Sequence, residues 1–343
     1  MYYDGPFISL GATGLKVSRI AFGCGFRGLP DQRDAQRTIE QAMDTGINFI
    51  DCANRYECAD RVKAETALGR ALVGRRHDFV ITSKVGTVQN PGPNGIGLSR
   101  YHIHHEVELS LQRLGTDYID VYILHLPDET TEPEETLRAL ETLCQQGKIR
   151  YVGLANYRTW QVVDALHIQK NINASPLCVV QNPYGLLNRS LEQDMFPAAH
   201  RFHFGIMAYN ILGAGLLGGK YGKNLPLPEN SFWTNSPLYR AYYPYYFRGQ
   251  VSDTVELTRT VAEKYGVSMC AVATAWVLSH PEISTAVAGA NSFRQFQGYL
   301  EAAALHLDEE DIEQLDRVSY GADEEFLVWS VEKKAQRLGI QWQ

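Results

Sequence analysis

The stretch GINFIDCANRY, residues 46–56, joins a short apolar run to two side chains that are suited to chemistry. The apolar run ends at Asp51, and Tyr56 follows in a polar segment. Nearly continuous apolar residues are typical of a parallel strand that is buried on both faces. The pattern therefore predicts a buried strand that ends at Asp51 and a loop that carries Tyr56.

Two later apolar runs end in a similar way, FVITSK at Lys84 and VYILH at His125. Three consecutive predicted strands thus each have an ionisable residue at their C-terminal end. In a barrel of parallel strands this end carries the active site. A single Lys, Asp or His at a strand end is more often solvated or paired, but its recurrence over three strands favours a catalytic role.

The remainder of the chain alternates between strand-like apolar runs and amphipathic segments. The predicted strands cover residues 19–22, 48–51, 79–84, 119–125, 151–155, 178–181, 205–209 and 285–288. The predicted helices cover residues 34–44, 61–73, 100–114, 133–146, 159–168, 190–200, 254–279 and 293–303. Alternation of this kind predicts either an open, doubly wound sheet or a closed (β/α)8 barrel.

Three segments depart from this alternation. Two short extended runs around Gly-Ala-Thr-Gly, residues 11–14, predict a β-hairpin ahead of the first barrel strand. Residues 213–251 form a long loop without clear periodicity, and the tail, residues 307–343, begins with a helical pattern. No linker-like composition separates these parts, so we expect one domain over residues 1–343.

The stretch AFGCGFRG, residues 21–28, contains Gly-x-Gly-x-x-Gly, the pattern of a dinucleotide-binding Rossmann unit. In such a unit the helix begins inside the glycine motif, and its N-terminal amides face the pyrophosphate. Pro30 disfavours helical geometry at Leu29, and the next helical pattern begins only near Asp34. The glycines are therefore expected in a loop after the first strand, which favours the barrel.

The composition argues against several classes of function. The 32 basic and 39 acidic residues give a net charge of −7 and are dispersed, which argues against nucleic-acid binding. The 6 cysteines form no Cys-x-x-Cys motif, so reduced thiols are expected. The chain shows neither a signal peptide nor an apolar stretch of about 18 residues, so we expect a cytoplasmic protein without a membrane span.

The set Asp51, Tyr56, Lys84 and His125, in this order, resembles the catalytic residues of the aldo-keto reductase superfamily. Matching segments extend over nearly the whole chain and include ETALGRAL, SLQRLGTDYIDVYILHLPD, GKIRYVGLANY, QNPYGLLNR and GIMAYNILGAGLLGGKY. The resemblance implies an α/β fold, a (β/α)8 TIM barrel with an N-terminal β-hairpin and a C-terminal helical tail. It also implies that a nicotinamide cofactor is bound in an extended conformation. The last segment is most similar to the branch that contains potassium-channel β subunits and bacterial sugar or aldehyde reductases.

These four residues have complementary roles in the reduction of a carbonyl group. Hydride transfer to the carbonyl carbon produces an alkoxide that needs a proton, and Tyr56 is suited to supply it. The ordinary pKa of tyrosine is about 10, and we expect the ammonium of Lys84 to lower it. Asp51 would pair with Lys84 and hold it, while His125 would donate a hydrogen bond to the carbonyl oxygen.

The resemblance also implies contacts to the nicotinamide. Asn156 and Gln181 match the pair that binds the carboxamide, and Tyr209 matches the aromatic residue that stacks on the ring. Without the resemblance, a turn cap, a strand-end amide and a core tyrosine would be the simpler interpretations of these residues.

Two loops that follow the seventh and eighth predicted strands are candidates for phosphate binding. In the first, LGAGLLGGK, glycines can expose backbone amides and a lysine adds charge. Its candidate cofactor contacts are Asn210, Leu212, Gly215 and Lys220. The second, GANSFRQ, opens a helix whose N-terminus suits a phosphate. Its candidates are Gly289, Asn291, Ser292, Arg294 and Gln295.

The choice of nucleotide stays open at this point. This chain has Gly298 and Tyr299 where the family often has Glu and Asn, and Ala155 replaces a common serine before Asn156. These departures affect the adenine contact and one hydroxyl contact to the cofactor. We favour NADP(H), with Asn291, Ser292 and Arg294 as the candidate ligands of the adenosine 2′-phosphate, and keep NAD(H) as the alternative.

The stretch SFWTNSPLYRAYYPYYFRGQ, residues 231–250, is dense in aromatic residues. This stretch could cover the substrate, with Trp233 and Tyr242 as candidate pocket residues. Phe26 and Arg27, in the loop after the first predicted strand, are the other two candidates for the pocket. The alternative is that these rings pack the loop or form a subunit contact. The histidines of YHIHHE, residues 101–106, match a plain outer helix, so no metal site is predicted there.

These observations predict an NAD(P)H-dependent carbonyl reductase. Its partner would be a small carbonyl or alcohol substrate, such as an aldehyde, a ketone or a keto-sugar, and its oligomeric state stays undetermined. The alternative from another class is a cofactor-sensing regulatory subunit with little turnover, as in channel β proteins.

Overall fold

The structure, a computed structural model, describes residues 3–26, 30–229, 231–322 and 328–341. A hairpin of β1 (Phe7–Ser9) and β2 (Lys16–Ser18) precedes the main sheet. Among the described residues, eight strands close into a barrel in the order β10-β3-β4-β5-β6-β7-β8-β9. The strands are β3 (Ile20–Gly23), β4 (Phe49–Asp51), β5 (Val80–Val85), β6 (Ile119–Leu124), β7 (Ile149–Ala155), β8 (Leu177–Pro183), β9 (Gly205–Tyr209) and β10 (Ile283–Gly289). The predicted (β/α)8 barrel with an N-terminal hairpin is therefore confirmed.

Helices follow the strands along the chain. In the described residues they are α1 (Gln32–Met43), α2 (Ala64–Ala71), α3 (Arg100–Leu114), α4 (Pro133–Gln145), α5 (Thr159–Asn171), α6 (Met195–Phe202), α7 (Pro237–Tyr246), α8 (Gln250–Tyr265), α9 (Met269–Ser279), α10 (Phe293–Leu300), α11 (Glu309–Ser319) and α12 (Val328–Arg337). No helix in these parts of the chain is long and apolar enough to cross a membrane.

The interior of the barrel is an apolar core. Alternate residues of a strand point to opposite faces, so Val121 and Ile123 face inward from β6 while Tyr122 faces the helices. Leu10 and Val17 of the hairpin region belong to the same core cluster. A Cβ atom at Gly11, which has φ +57°, would lie 2.5 Å from the carbonyl oxygen of Cys178. A residue without a side chain thus lets the hairpin approach the start of β8.

The glycine motif does not open a helix. Cys24, Gly25 and Phe26 follow β3 in irregular conformation, and residues 27–29 lie outside the described residues. The next helix, α1, begins at Gln32, and Asp31 caps it by accepting from two backbone amides at 2.9 Å. The helix therefore begins after the motif, which agrees with the barrel and not with a Rossmann unit.

The chain forms two compact units. The first contains Met1–Asn182, Gln193–Tyr209 and Pro281–Gln297, and it includes the hairpin and the barrel strands. The second contains Pro183–Glu192, Asn210–His280 and Gly298–Gln343. The prediction of a single domain over residues 1–343 stays a prediction.

Two expectations for the second unit are wrong. Residues 213–251 are not irregular throughout, since they contain α7 and the first residues of α8. The helix predicted over residues 254–279 is interrupted: Gly266, with φ 66°, ends α8, and Ser268 caps α9 by accepting from the Ala271 amide at 3.1 Å. A glycine in left-handed backbone followed by a capping serine is a common helix–helix junction.

Candidate active site

Asp51 and Lys84 form a buried ion pair inside the barrel. Asp51 ends β4, and Lys84 lies near the end of the neighbouring strand β5. The Nζ atom of Lys84 lies 2.7 Å and 2.8 Å from the two carboxylate oxygens of Asp51. Nζ also donates to the carbonyl oxygen of Cys52 at 2.8 Å, and the Lys84 side chain is 0% exposed. The pair is therefore closed to solvent and held between two strand ends.

Two further side chains hold Asp51. Thr82 Oγ1 donates to Asp51 Oδ1 at 2.6 Å, and Gln181 Nε2 donates to the same oxygen at 2.8 Å. Thr82 precedes Lys84 by two residues, so the two side chains share the inner face of β5. Thr82 was not among the predicted site residues, although its position two residues before Lys84 is a signal that indicates it.

Tyr56 lies in the loop after β4, beside Lys84. Its hydroxyl oxygen is 3.5 Å from Lys84 Nζ, and Nζ is 5.0 Å from the centroid of the ring. The ring meets that of His125 edge to face, with the centroids 5.9 Å apart and an interplanar angle of 84°. A Cβ atom at Gly25 would lie 3.7 Å from the Tyr56 ring, so the glycine loop after β3 passes beside it. The four residues predicted to be catalytic thus converge at the C-terminal end of the barrel.

Burial and the neighbouring charges shift the pKa values of Lys84 and Tyr56 in opposite directions. Burial lowers the pKa of Lys84, but the Asp51 carboxylate and Tyr56 raise that pKa by more, so the ammonium persists at neutral pH. Burial raises the pKa of Tyr56 above its ordinary value and outweighs the lowering effect of Lys84. The expectation of a lowered pKa for Tyr56 is therefore wrong in its net direction. Tyr56 is therefore a neutral phenol at neutral pH.

His125, which follows β6, carries a neutral imidazole. Burial, and then the positive charges of Lys84 and Arg55, hold the pKa of His125 well below its ordinary value. Its Nδ1 atom is buried without a hydrogen-bond partner among the described residues. A proton on Nδ1 would therefore lack an acceptor, which favours the tautomer with the proton on Nε2. His125 can donate one hydrogen bond from Nε2 without carrying charge.

Asn156 connects His125 to β9. It follows β7 in left-handed backbone with φ 64°, a conformation that Asn adopts more readily than most residues. Its Nδ2 donates to the carbonyl oxygen of His125 at 2.8 Å, and its Oδ1 accepts from the Tyr209 hydroxyl at 2.6 Å. The backbone amide of Asn156 donates to Asn182 Oδ1 at 2.7 Å. Asn182, which was not among the predicted site residues, thus holds this turn.

The surroundings of Gln181 fit a primary carboxamide. Its Nε2 is used by Asp51, whereas its Oε1 accepts no hydrogen bond from the described residues. Gln181 pairs in register with the residue before Asn156, and the partly exposed ring of Tyr209 lies within hydrogen-bond reach of Asn156. An open acceptor, a neighbouring amide and an aromatic ring together fit the nicotinamide group that the resemblance implies.

The loop after β10, in the first unit, holds candidate phosphate contacts at the start of α10. Gln295 and Ser292 cap this helix: the Gln295 amide donates to Ser292 Oγ at 3.4 Å, and the Asn291 amide donates to Gln295 Oε1 at 2.9 Å. Gly289 ends β10. Arg294 is exposed, and the ion pairs of the described residues do not include it. Arg294 is therefore a cation available to a ligand.

The loop after β9, in the second unit, is built from left-handed turns. Asn210 has φ 57°, and its Oδ1 accepts from the backbone amide of Ala214 at 2.9 Å. The amide of Gly215 donates to the carbonyl oxygen of Leu212 at 3.1 Å. This amide is therefore engaged within the loop, contrary to the expectation that it faces a phosphate. Lys220 is exposed.

Three of the predicted substrate contacts, Phe26, Trp233 and Tyr242, are buried. Phe26 is 0% exposed and packs against Phe22 at a centroid distance of 6.1 Å. Arg27 lies outside the described residues. In the second unit, Trp233 is 0% exposed, and Tyr242 is buried on α7. This burial favours packing over substrate contact for Trp233 and Tyr242.

The histidine-rich start of α3 does not assemble metal ligands. His102 is buried and its Nδ1 lies 2.9 Å from the carbonyl oxygen of Asn94, whereas His105 is exposed. No group of three His, Cys, Asp or Glu side chains that could hold a metal occurs among the residues that the structure describes.

Comparison with known proteins gives matches over most of the chain. A sequence model described as "Aldo/keto reductase family" matches residues 19–319. An uncharacterized oxidoreductase, YrpG of Bacillus subtilis (strain 168), is 33% identical over 321 residues, which are 91% of this chain and 95% of that protein. A probable voltage-gated potassium channel subunit beta of Oryza sativa subsp. japonica is 32% identical over 304 residues, 86% of this chain and 90% of that protein. An L-glyceraldehyde 3-phosphate reductase of Escherichia coli O157:H7 is 30% identical over 330 residues, 93% of each chain.

Proposed function

The chain belongs to the aldo/keto reductase family, and on this premise we propose that it is an NAD(P)H-dependent carbonyl reductase. The observation that carries the proposal is the position of Tyr56, whose hydroxyl lies 3.5 Å from a buried ammonium. Its substrate is an aldehyde, a ketone or a keto-sugar, or the corresponding alcohol in the reverse direction.

Proton transfer is the task of Tyr56. A bound reduced nicotinamide supplies the hydride that reaches the carbonyl carbon. Tyr56 gives its phenolic proton to the carbonyl oxygen as negative charge develops there. The phenolate that results is stabilised by Lys84 and takes its proton back from solvent, while Asp51 keeps Lys84 in place.

Substrate orientation is the task of His125. Its neutral ring donates from Nε2 to the carbonyl oxygen, so the oxygen accepts from two donors, His125 and Tyr56. Donors that are fixed before the reaction stabilise developing charge without the cost of reorganisation. A charged imidazolium would compete with Tyr56 as the proton donor, and the depressed pKa of His125 prevents this.

Asn156, Gln181 and Tyr209 would hold a nicotinamide, with the two amide side chains suited to its carboxamide and the aromatic ring suited to the nicotinamide ring. Arg294 supports NADPH over NADH, because an exposed guanidinium at the start of a helix can pair with a phosphate monoester. NADH remains the alternative nucleotide.

An assay of NADPH oxidation tests the proposal. The purified protein is mixed with NADPH and a panel that contains a short aldehyde, an aromatic aldehyde, a ketone, a keto-sugar and L-glyceraldehyde 3-phosphate, which one relative is named for. We expect turnover with at least one of them, and a loss of about 100-fold or more in kcat for Tyr56→Phe with NADPH affinity retained. Tyr101→Phe, at an exposed tyrosine of α3, is the matched control. Full activity of Tyr56→Phe would show that another group donates the proton.

A cofactor-sensing subunit is the second candidate function. It is supported by relatives named as potassium channel subunits beta, such as the one from Oryza sativa. Tight NADPH binding without turnover on any member of the panel would favour this candidate. The presence of Asp51, Tyr56, Lys84 and His125 together favours the enzyme.

A further inference from the structure

Glu106 is a buried carboxylate on α3 that has no part in the site described so far. It is 1% exposed, and the ion pairs of the described residues do not include it. Its Oε2 accepts a hydrogen bond from Asn54 Nδ2 at 2.8 Å. A carboxylate that is buried without a cation is costly, and an apolar residue of similar volume is often more stable in such a place. The contact with Asn54 is therefore the place to look for its role.

Hydrogen bonds of Asn54 connect the loop after β4 to α3 and to the end of β5 with the segment that follows it. Its backbone amide donates to the carbonyl oxygen of Lys84 at 3.4 Å, and its side chain is 0% exposed. Its Oδ1 accepts from Gln89 Nε2 at 3.1 Å. The Asn54 side chain thus joins α3, through Glu106, to the segment that follows β5.

Tyr56 lies in the same loop as Asn54. Asn54 lies two residues before Tyr56, and the Tyr56 carbonyl oxygen accepts from the Ala64 amide at 2.9 Å. After Tyr56 in the chain, Lys63 Nζ lies 3.4 Å from Gln89 Oε1. Gln89 therefore contacts a residue before Tyr56, Asn54, and a residue after it, Lys63. Glu106 contacts the first of these, Asn54.

We propose that Glu106 is a positioning residue, which acts through Asn54 to keep the Tyr56 hydroxyl beside Lys84. The inference rests on the proposed reductase function, because it assigns Glu106 an indirect part in proton transfer from Tyr56. Glu106 Oε2 gives Asn54 Nδ2 a buried acceptor that an apolar side chain at this position would not supply. A displacement of Tyr56 by about 1 Å is enough to reduce the rate of a reaction that depends on alignment.

Glu106→Met and Glu106→Gln test the proposal together. Methionine fills the space without an acceptor, whereas glutamine keeps an acceptor for Asn54. We expect Glu106→Met to lower kcat by about tenfold or more, with KM for NADPH within about twofold of the original chain. We expect Glu106→Gln to restore most of the lost kcat. Glu108→Met is the control, since Glu108 lies on the same helix but is partly exposed and pairs with Lys148.

Hydrogen exchange supplies a readout that does not depend on turnover. We expect Glu106→Met to speed exchange of the Asn54 and Tyr56 amides by about tenfold or more, with no change at Val121 in the core of the barrel. Asn54→Ser, whose side chain cannot reach Glu106, should have the same effect and keeps the test valid if Glu106→Met does not fold. Asn54→Ser removes the contact with Glu106 and also the acceptor of Gln89, so the double variant should lose no more kcat than Asn54→Ser alone.

The outcomes separate this inference from the proposed function. Unchanged exchange in the loop of Glu106→Met overturns the positioning role, and so does faster exchange throughout the protein together with a lower melting temperature. An equal loss of kcat in Glu106→Gln and Glu106→Met also overturns it. If the original chain turns over no substrate, the proposed function fails, and the exchange of the Asn54 and Tyr56 amides alone decides the role of Glu106.

Discussion

The Lys84 ammonium contacts both carboxylate oxygens of Asp51, at 2.7 Å and 2.8 Å, within the closed barrel. Thr82 and Gln181 complete the hydrogen bonds to this carboxylate. Each charge is thus buried only because the other is present. A buried pair of this kind contributes little net stability, but breaking it exposes the cost of the charge that remains.

Removing either partner of this pair should destabilise the protein strongly. We expect Lys84→Met and Asp51→Asn each to lower the free energy of unfolding by about 3–5 kcal/mol, measured by urea denaturation. The double variant should recover much of this loss, since no unpaired charge remains, yet stay inactive. Lys223→Met, which breaks an exposed pair with Asp253, is the control and should cost less than about 1 kcal/mol. If the losses in the free energy of unfolding were additive in the double variant, this would contradict a direct ion pair between Lys84 and Asp51.

The depressed pKa of His125 predicts a loss of stability in acid. Below its ordinary pKa of about 6.5, the unfolded chain binds a proton at this residue that the folded protein does not. The free energy of unfolding therefore falls as pH falls through this range. Between pH 7.5 and 5.5 the original chain should lose about 1 kcal/mol more than His125→Asn. Parallel losses in the two proteins, measured by denaturant titration at each pH, would show that the His125 pKa is not depressed.

The residues at the strand ends could be predicted from the sequence, for a simple physical reason. Strands buried on both faces are nearly continuous apolar runs, so an ionisable residue such as Asp51 or Lys84 marks the end of the run. Because all strands of the barrel are parallel, their C-terminal ends lie at the same end of the barrel. Pro30 likewise indicated that the glycine motif does not open a helix.

Contacts between distant segments could not be predicted in this way. Glu106 and Asn54 are 52 residues apart, and no period or spacing relates them. The helix α7 was obscured by Pro244 inside it, although Pro237 at its first turn is a position that suits proline. The burial of Trp233 depends on how that helix packs, which a local pattern does not contain.

The aromatic cluster in the second unit predicts a structural role for Trp233. Its ring stacks on Tyr246 at a centroid distance of 5.4 Å and meets Tyr239 and Tyr243 edge to face. We expect Trp233→Ala to lower the free energy of unfolding by about 3–5 kcal/mol with little change in substrate KM for the folded protein. Tyr245→Ala, at a ring that is 44% exposed, is the control. A tenfold rise in KM for an aromatic aldehyde, at unchanged stability, would instead favour the substrate pocket.

Arg294 should govern the choice between NADPH and NADH. It is exposed at the start of α10, where a phosphate monoester could accept from its guanidinium. We expect Arg294→Gln to weaken NADPH binding by about tenfold, measured by fluorescence titration, while NADH binding stays within about twofold. The exposed Arg33 on α1 is a control for loss of surface charge. Equal weakening of both nucleotides would place the 2′-phosphate elsewhere.

Asn156 combines a strained backbone with a side chain that joins two elements, and the two contributions can be separated. Glycine at this position tolerates φ 64° but removes both side-chain hydrogen bonds, whereas alanine also carries the strain. We expect Asn156→Gly and Asn156→Ala to raise KM for NADPH alike, by about tenfold. The alanine variant should be less stable than the glycine variant by about 1 kcal/mol in urea denaturation. If the glycine variant keeps the original KM, the Asn156 side chain does not contribute to cofactor binding, and Gln181 is left as the carboxamide ligand.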